Sequence, residues 1–434
     1  MLVGLELSKG DRWAVADSLE ELRELATSAG AEVVDTATQK RDRPDPATFI
    51  GSGKVGELAV RCKESTANVI IFDDDLTPAQ GRNLAEVLGA EIKVIDRTEL
   101  ILDIFAQRAR TREGKIQVEL AQLQYMLPRL TGLWTHLSRQ NGAIGTRGPG
   151  ETQLEVDRRR VQEKIGRLKR DLEEVRKNRR IERSGRQRMH WPVVSLVGYT
   201  NTGKSTLLNA LTGAEVLAQD KLFATLDPTT RKVRLPNNQN ILLTDTVGFL
   251  RKLPHQLVEA FNATLEEVTE ADLLLHVVDV SHPQAREQIK AVDVVLKEIG
   301  AGDKPMVIAL NKMDRLSGAS VPLDLVAEPA EDKQDACPTL EGFRREWPNA
   351  VAVSAKHGTN LGSLLDEIGN RLADRRVTVT LAIPQHRAKT IALVYRSGFV
   401  TARQQDEGKV ILEAQIPKVL AGELSPYVVG HGQE

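Results

Sequence analysis

The residues best suited to chemistry lie in the stretch GYTNTGKS, from Gly198 to Ser205. The spacing G-x-x-x-x-G-K-S follows the apolar run PVVSLV and opens the helical pattern STLLNALTG, which is the context that a phosphate-binding loop requires. Glycines let backbone N–H groups surround phosphate oxygens, Lys204 neutralises their charge, and the Ser205 hydroxyl suits a Mg²⁺ ion. The stretch predicts a nucleotide-phosphate site, and the alternative is a chance match in a glycine-rich turn.

Two further stretches place polar residues at the ends of predicted strands. NILLTDTVG carries Asp245 and then Gly248, and PMVIALNKMD delivers Asn311, Lys312 and Asp314. Ligands of open α/β sheets bind at the carboxyl ends of the strands. We therefore expect Asp245 to hold the metal through water and the Gly248 N–H to meet the γ-phosphate.

The pattern N-K-x-D at 311–314 resembles the guanine-specificity motif of GTPases. In that motif the aspartate, here Asp314, accepts hydrogen bonds from guanine N1–H and the 2-amino group. Adenine lacks both donors and would leave a buried carboxylate unpaired, which is a large penalty. AVSAK, with Ser354, Ala355 and Lys356, resembles the last guanine-contacting loop of the same proteins. The four stretches occur in the expected order, so we predict that the chain binds GTP and GDP with Mg²⁺.

The threonine that completes the metal site has three candidates, Thr225, Thr229 and Thr230. FATL resembles the FTTL stretch of related GTPases, which favours Thr225 as a ligand of Mg²⁺ and the γ-phosphate, beside Ser205 and Asp245. The predicted nucleotide contacts are Gly198, Tyr199, Thr200, Asn201, Thr202, Gly203, Lys204, Ser205, Phe223, Ala224, Thr225, Leu226, Asp227, Asp245, Thr246, Val247, Gly248, Asn311, Lys312, Met313, Asp314, Ser354, Ala355 and Lys356.

Position 249 carries a phenylalanine where a hydrolytic GTPase would use a glutamine to orient water. A phenylalanine cannot hydrogen-bond that water. Either another residue does the work, or hydrolysis has been lost, or hydrolysis is slow until a partner completes the site. Resemblance to other GTPases with a hydrophobic residue here favours the third interpretation, with Phe249 retracted. The predicted catalytic residues are Lys204, Thr225, Gly248 and Phe249.

The length and composition limit which classes of protein the chain can belong to. The 434 residues predict about three domains, and 41% hydrophobic with 27% charged residues are typical of a globular protein. The two cysteines, Cys62 and Cys337, lack metal-ligand spacing and fit a reducing compartment. No run approaches the roughly 18 apolar residues of a membrane span, so we expect a cytoplasmic protein with no stable membrane insertion.

The pattern of strands and helices predicts four regions, at 1–97, 98–190, 191–375 and 376–434. In the first, LVGLEL, AEVVDT, NVIIFD and EIKVID alternate with helices, which predicts a small parallel-leaning α/β sheet. The third is a P-loop GTPase domain with a parallel-rich sheet, and Ala319 to Glu341 reads as an acidic surface insertion. The last, with KTIALVYRSG and GKVILEAQIP, predicts a small α+β module.

The second region predicts an antiparallel helical hairpin with a glycine-rich loop, Ser138 to Gln153, at its tip. Its two apolar stripes comprise Ile116, Leu120, Leu123, Leu127 and Leu130 in one helix and Val161, Ile165, Leu168, Leu172 and Val175 in the other. Between Arg147 and Arg188 there are 15 Arg and Lys residues against 8 Asp and Glu, although the chain has a net charge of −1. A solvated coiled-coil surface and an RNA-phosphate surface both fit this excess. The predicted RNA contacts are Arg139, Arg147, Arg158, Arg159 and Arg160.

Several longer stretches resemble the HflX family of ribosome-associated GTPases. They are FIGSGKVGEL, DDDLTPAQGRNL, DRTELILDIFAQRARTREGKIQVELAQL, GTRGPGETQLEVDRRR and FATLDPTTR. The resemblance implies a protein that binds the large ribosomal subunit and its rRNA, and that uses its amino-terminal region to reach towards the peptidyl-transferase region. It also implies splitting or rescue of stalled ribosomes under stress. We also expect a monomer.

Two functions from other classes remain as alternatives. One is an RNA remodeller driven by ATP at the amino-terminal domain, where GSGK ends at Lys54. A second phosphate loop is disfavoured there because Thr48 and Val55 replace the glycine and the Ser or Thr that the motif needs. The other alternative is a GTP-dependent regulator of a protein partner. His276, within LLLHVVDV, is expected to be a core residue rather than a metal ligand.

Overall fold

A computed structural model describes the chain over residues 1–7, 12–130, 149–187, 191–213, 229–250, 265–316, 340–373, 376–406 and 408–431. These residues form two compact units, one up to Arg176 and the other from Lys177 onward. Within the described ranges, no helix is both long and apolar enough to cross a membrane.

The amino-terminal unit contains a four-stranded parallel sheet in the order β2-β1-β3-β4. Its strands are β1 (Leu2–Leu7), β2 (Thr36–Arg41), β3 (Val69–Phe72) and β4 (Lys93–Asp96), and its helices are α1 (Arg12–Ser28), α2 (Ser52–Glu64) and α3 (Pro78–Leu88). The predicted α/β alternation and parallel sheet are confirmed.

One strand of this sheet was predicted at the wrong place. AEVVDT, at 31–36, was expected to be a strand, but β2 begins only at Thr36. Because β1 starts at Leu2 and pairs Leu2 with Thr36, residues before Thr36 have no strand beside them. Val34 is accordingly 47% exposed despite its apolar character.

The GSGK stretch begins helix α2, with Gly51 as its N-cap. The Lys54 ammonium lies 2.7 Å from Glu57 Oε1, within the same helix. This lysine is therefore already neutralised by a carboxylate of its own helix.

The helical region that follows contains α4 (Arg97–Arg108), α5 (Arg112–Met126) and α6 (Pro149–Gln187). The single helical stretch expected from 97 to 130 is broken at 109–111, where the Thr111 hydroxyl accepts from Gly114 N at 3.0 Å and caps α5. The two apolar stripes pack on each other through Ile116, Leu120, Leu168 and Leu172. The predicted tip loop, Ser138 to Gln153, is wrong at its carboxyl end, because α6 already begins at Pro149, a residue that suits the first turn of a helix. The rest of the predicted loop, including Arg139 and Arg147, lies outside the described residues.

The second unit contains a six-stranded sheet in the order β10-β9-β8-β5-β7-β6, parallel except for β6. Its strands are β5 (Val193–Val197), β6 (Thr229–Arg234), β7 (Asn240–Asp245), β8 (Leu273–Asp279), β9 (Met306–Asn311) and β10 (Val351–Ala352). Its helices are α7 (Lys204–Thr212), α8 (Ala285–Glu298), α9 (Leu340–Glu346) and α10 (Leu361–Ala373). The predicted parallel-rich sheet is confirmed, whereas most of the predicted insertion from Ala319 falls in residues that are not described.

A separate antiparallel sheet of the same unit forms the carboxyl-terminal module, in the order β12-β13-β11-β14. Its elements are β11 (Arg376–Pro384), α11 (Ala388–Ser397), β12 (Phe399–Asp406), β13 (Lys409–Pro417), α12 (Lys418–Glu423) and β14 (Val428–His431). GKVILEAQIP forms β13, whereas KTIALVYRSG forms α11, with Val394 buried against the sheet and the strand starting only after Gly398.

Candidate nucleotide-binding site

The predicted nucleotide-site residues that the structure describes lie at one edge of the six-stranded sheet. Strand β5 leads into the 198–205 loop, β7 ends at Asp245, β8 at Asp279 and β9 at Asn311. These four strands are neighbours and parallel, so their carboxyl ends meet at the same edge. The fold therefore brings together stretches separated by more than 100 residues in sequence.

The phosphate loop needs its glycines because other chain segments press against it. A Cβ on Gly198 would lie 2.3 Å from the Val277 carbonyl oxygen, and one on Gly203 would lie 2.4 Å from Asn311 Nδ2. Both glycines also have positive φ angles, 148° and 91°, which side-chain-bearing residues rarely adopt. Any substitution at either position would displace the loop from β8 or β9.

Lys204 is buried within this loop. Its ammonium donates to the carbonyl oxygens of Gly198 at 3.1 Å and Tyr199 at 2.7 Å. Burial lowers the pKa of Lys204 from 10.5 to about 8, with a smaller lowering effect from Lys312 and an opposing one from Asp245. Phosphate oxygens beside this ammonium would supply the negative charge that favours its protonated form.

Ser205 and Asp245 form the part of the expected metal site that the structure describes. The Ser205 hydroxyl donates to Asp245 Oδ2 at 2.6 Å, so the two side chains converge on one point. A hydroxyl and a carboxylate are hard oxygen ligands of the kind that Mg²⁺ prefers. These two residues therefore fit a magnesium ion, while the third expected ligand, Thr225, lies outside the described residues.

The segment after Asp245 is fastened to the sheet and to the phosphate loop. The Thr246 hydroxyl donates to the Leu196 carbonyl at 2.6 Å, and Val247 is buried. Gly248 lies so close to the loop that its Cβ would be 2.8 Å from Thr200 Cγ2 and 3.0 Å from Lys204 Nζ. The γ-phosphate side of the site therefore has room for a backbone N–H but not for a side chain.

Phe249 is an interior residue. Its N–H donates to the Gly198 carbonyl at 3.0 Å, its carbonyl accepts from Thr200 N at 2.8 Å, and it forms a parallel bridge with Tyr199. Only 2% of Phe249 is exposed. Its ring is thus held within the protein by main-chain bonds on both sides.

Asn311 joins the phosphate side of the site to the base side. Its Nδ2 donates to the Thr202 carbonyl at 2.7 Å, and its Oδ1 accepts from Ala355 N at 3.0 Å. Asn311 is buried, and both halves of its amide are used. The Thr202 hydroxyl donates to the Tyr199 carbonyl at 3.0 Å, so this side chain stabilises the loop itself.

Lys312 adopts a left-handed conformation, with φ of 62°, and precedes a 3₁₀ turn that begins at Met313. Its ammonium lies 2.7 Å from Asp279 Oδ2. Asp279 is nearly buried and also accepts from the Ser281 N–H and hydroxyl. Asp279 thus holds the Lys312 side chain in place.

Asp279 is a residue of the site that sequence reasoning missed. It ends the apolar strand LLLHVVD in the same way that Asn311 ends MVIALN, and the two residues are paired across β8 and β9. A polar residue at the end of a buried strand was the available signal. The same signal marks Asp245 and Asn311 at the ends of β7 and β9.

The base side of the site is completed by Asp314 and the 354–356 loop. The Ser354 hydroxyl donates to Asp314 Oδ1 at 2.6 Å, and His357 Nε2 lies 3.8 Å from Oδ2. The Ser354 hydrogen bond is the main cause that lowers the pKa of Asp314 below its ordinary 3.8. Asp314 therefore stays a carboxylate that can accept hydrogen bonds from a ligand, and Lys356 is exposed beside it.

His276 lies on β8 beneath the site and is 1% exposed. Burial lowers its pKa to about 3, with the charge of Lys204 acting in the same direction. A neutral, buried imidazole is the state that the sequence predicted for a core residue. Among the described residues, no three His, Cys, Asp or Glu side chains cluster as a metal site.

The remaining predicted residues belong to two groups. Phe223, Ala224, Thr225, Leu226 and Asp227 lie outside the described residues, as do Arg139 and Arg147. Arg158, Arg159 and Arg160 are exposed on α6. Two of these have acidic neighbours on the same helix, Arg159 with Glu163 at 3.3 Å and Arg160 with Asp157 at 3.7 Å.

Comparison with known proteins identifies the family. Four family models match in order, described as GTP-binding GTPase N-terminal (16–106), GTP-binding GTPase Middle Region (108–186), 50S ribosome-binding GTPase (193–312) and HflX C-terminal domain (344–433). A GTPase HflX of Caldanaerobacter subterraneus subsp. tengcongensis is 45% identical over 413 residues, which is 95% of this chain and 90% of that protein. The chain belongs to the HflX family of GTPases. The resemblance seen in the sequence is thus confirmed, and this HflX-family chain is a GTP-binding enzyme that hydrolyses GTP.

Two further proteins are similar to this HflX-family chain. A GTPase HflX of Escherichia coli K12 is 44% identical over 404 residues, covering 93% of this chain and 90% of the relative. Among solved structures, a GTP-binding protein of Sulfolobus solfataricus in complex with GDP is 25% identical, covers 86% of this chain and 99% of its own, and has a TM-score of 0.43.

Replacing Asp314 with asparagine should change which base the site accepts. The amide still offers one acceptor to N1–H, but its NH₂ group opposes the 2-amino group of guanine and matches the 2-oxo group of xanthine. We expect GDP affinity to fall by about 100-fold or more and xanthosine diphosphate to become the better ligand, as measured by calorimetry. The control Asp303→Asn, an exposed position, should leave both affinities unchanged. Undiminished GDP binding by Asp314→Asn would contradict the assignment.

Replacing Ser354 with alanine should alter the pH dependence of GDP binding. Asp314 loses its main hydrogen-bond donor, so its pKa rises towards the ordinary value. A carboxylate with a lowered pKa binds guanine at neutral pH and fails as the pH falls through that pKa, so the acidic loss should begin at higher pH in the variant. GDP titrations from about pH 3 to 6.5 cover the range in which this carboxyl titrates, with Ser363→Ala at an exposed position of α10 as the control. Identical acid limbs for the variant and the native chain would refute the role of Ser354.

Proposed function

We propose that this HflX-family GTPase binds the large ribosomal subunit in its GTP form and acts in splitting or rescuing stalled ribosomes under stress. The match of 193–312 to a model described as a 50S ribosome-binding GTPase supports this partner. The observation that carries the proposal is Phe249, because a GTP site with this residue needs help from outside the chain.

Phe249 stands where a water-orienting group would be most useful, yet it has no hydrogen-bonding atom in its side chain. Its burial and its main-chain bonds to Gly198 and Thr200 keep the ring inside the protein. Slow hydrolysis by the isolated protein follows from this arrangement. Acceleration then requires a group supplied by a bound assembly, and the ribosome is the assembly that the family relationship favours.

Ser205 and Asp245 would hold Mg²⁺, with Thr225 as the further ligand implied by resemblance. Bound there, the ion would neutralise charge on the β- and γ-phosphates. The chain itself supplies Lys204 against the phosphate charge and Asp314 against the base. Loss of the γ-phosphate would remove its contacts with Thr225 and with the Gly248 N–H, and the ribosome-bound shape would be lost with them.

The basic surface of α6 supports an RNA contact. Arg158, Arg159 and Arg160 are exposed, and the pairs with Glu163 and Asp157 are solvated ones that contribute little. Such arginines can exchange a carboxylate for an RNA phosphate at small cost. We propose that this helix and the loop containing Arg139 and Arg147 reach the rRNA near the peptidyl-transferase region.

Co-sedimentation with purified large subunits tests this function. We expect co-migration with a non-hydrolysable GTP analogue, little with GDP, and loss of binding as KCl rises from about 50 to 200 mM. Alanine at Arg158, Arg159 and Arg160 together should weaken binding and reduce its salt dependence, by about 0.7 to 0.9 in slope per lost phosphate contact. Subunits should also accelerate GTP turnover at least about tenfold.

The control removes two exposed cations from another surface, Lys290→Ala with Lys297→Ala on α8, and should behave like the native chain. Equal binding with GDP and the GTP analogue would contradict the proposal. So would turnover that is as fast without subunits as with them. Binding to free proteins but not to subunits would favour a regulator of a protein partner instead.

A further inference from the structure

A second polar cleft lies in the same unit as the nucleotide site, between the β6–β7 hairpin and the carboxyl-terminal module. It has a volume of about 530 Å³. The hairpin contributes Lys232, Arg234, Asn238 and Asn240, and the module contributes Tyr395 and Phe399. The function described above uses none of these residues.

The cations of this cleft are available to a ligand. Lys232 and Arg234 are exposed, as is Arg231 beside them, so three of the six residues of β6 carry positive charge at the surface. Across the described ranges, none of the three forms an ion pair with a carboxylate. Lys232 and Arg234 are two residues apart on this edge strand, so they share one face and both line the cleft.

Lys232 is also held in position. Its ammonium lies 4.5 Å above the centre of the Trp191 ring, a cation–π distance. The Trp191 indole N–H donates to the Arg396 carbonyl at 3.3 Å, at the end of α11. The cation is therefore fixed where the hairpin meets the module.

The other side of the cleft is aromatic. Tyr395 is 47% exposed, and Phe399 is half-buried at the start of β12. Asn238, at a left-handed turn position with φ of 60°, and Asn240 add side-chain amides to the hairpin side. Cations, a stacking ring and amides together match the phosphates, faces and edges of unpaired nucleotides. An acidic peptide would use only the cations of the cleft and would leave the aromatic ring and the amides without a role.

We propose that this cleft binds an unpaired segment of RNA, with Lys232 and Arg234 at phosphates and a base stacked on Tyr395. The site shares no residue with the phosphate loop or with α6. It does not depend on the ribosome role, because any unpaired RNA presents the same groups.

Fluorescence anisotropy of the full chain with a labelled oligouridine of about 12 nucleotides tests the site at several salt concentrations. Alanine at both Lys232 and Arg234 should lower the salt slope by about 1.4, since each lost contact to single-stranded phosphate removes about 0.7. Tyr395→Ala should weaken binding about tenfold with an unchanged slope, and Tyr395→Phe should retain native affinity. Lys290→Ala with Lys297→Ala removes the same charge elsewhere and should change nothing.

Cross-linking of the native chain to 4-thiouridine oligonucleotides provides a readout that needs no variant. Adducts should map to the peptides containing Tyr395 or Phe399. Adducts confined to other peptides would overturn the proposal, as would an unchanged salt slope in the Lys232 and Arg234 double variant. Polyglutamate that binds as tightly as RNA, with the same dependence on Tyr395, would indicate a protein ligand and likewise overturn it.

Discussion

The buried side-chain amide of Asn311 is the interaction on which the nucleotide site depends. One end of this amide donates to the Thr202 carbonyl of the phosphate loop, and the other accepts from the Ala355 N–H of the base loop. An amide has a fixed size and both of its ends are used, so the distance between the two loops is fixed. Gly203 has no Cβ because the same amide occupies that space. Base and phosphate subsites therefore form as one rigid unit.

The residues that recognise the base are polar and held in place, whereas the residue at the water-orienting position is apolar. Asp279 holds Lys312, and Ser354 holds Asp314 as a carboxylate, so the base side is fixed before a ligand arrives. The position that would orient water is instead a buried phenylalanine, Phe249. In the function we propose, the chain binds GTP selectively by itself and relies on a partner for fast hydrolysis. That division suits a factor that acts only when assembled with its target.

Sequence reasoning predicted the parts of the molecule whose information is local. The loop at 198–205, the residues ending β7 and β9, and the apolar stripes of α5 and α6 follow from spacing alone. The predictions were wrong or incomplete where contacts between residues distant in sequence decide the local structure. AEVVDT has strand character, but the short β1 gives it no neighbour before Thr36. The cleft at Lys232 was not foreseen because it joins segments about 160 residues apart.

The most direct test of the central claim is amide hydrogen exchange on the Asn311→Ala variant, without nucleotide and with GDP. If this amide couples the two loops, the Ala355 N–H and the amides of the phosphate loop should lose protection together, and GDP affinity should fall by about tenfold or more. Native protection in the phosphate loop, with exchange raised only at Ala355, would show that the two subsites are independent and would contradict the account.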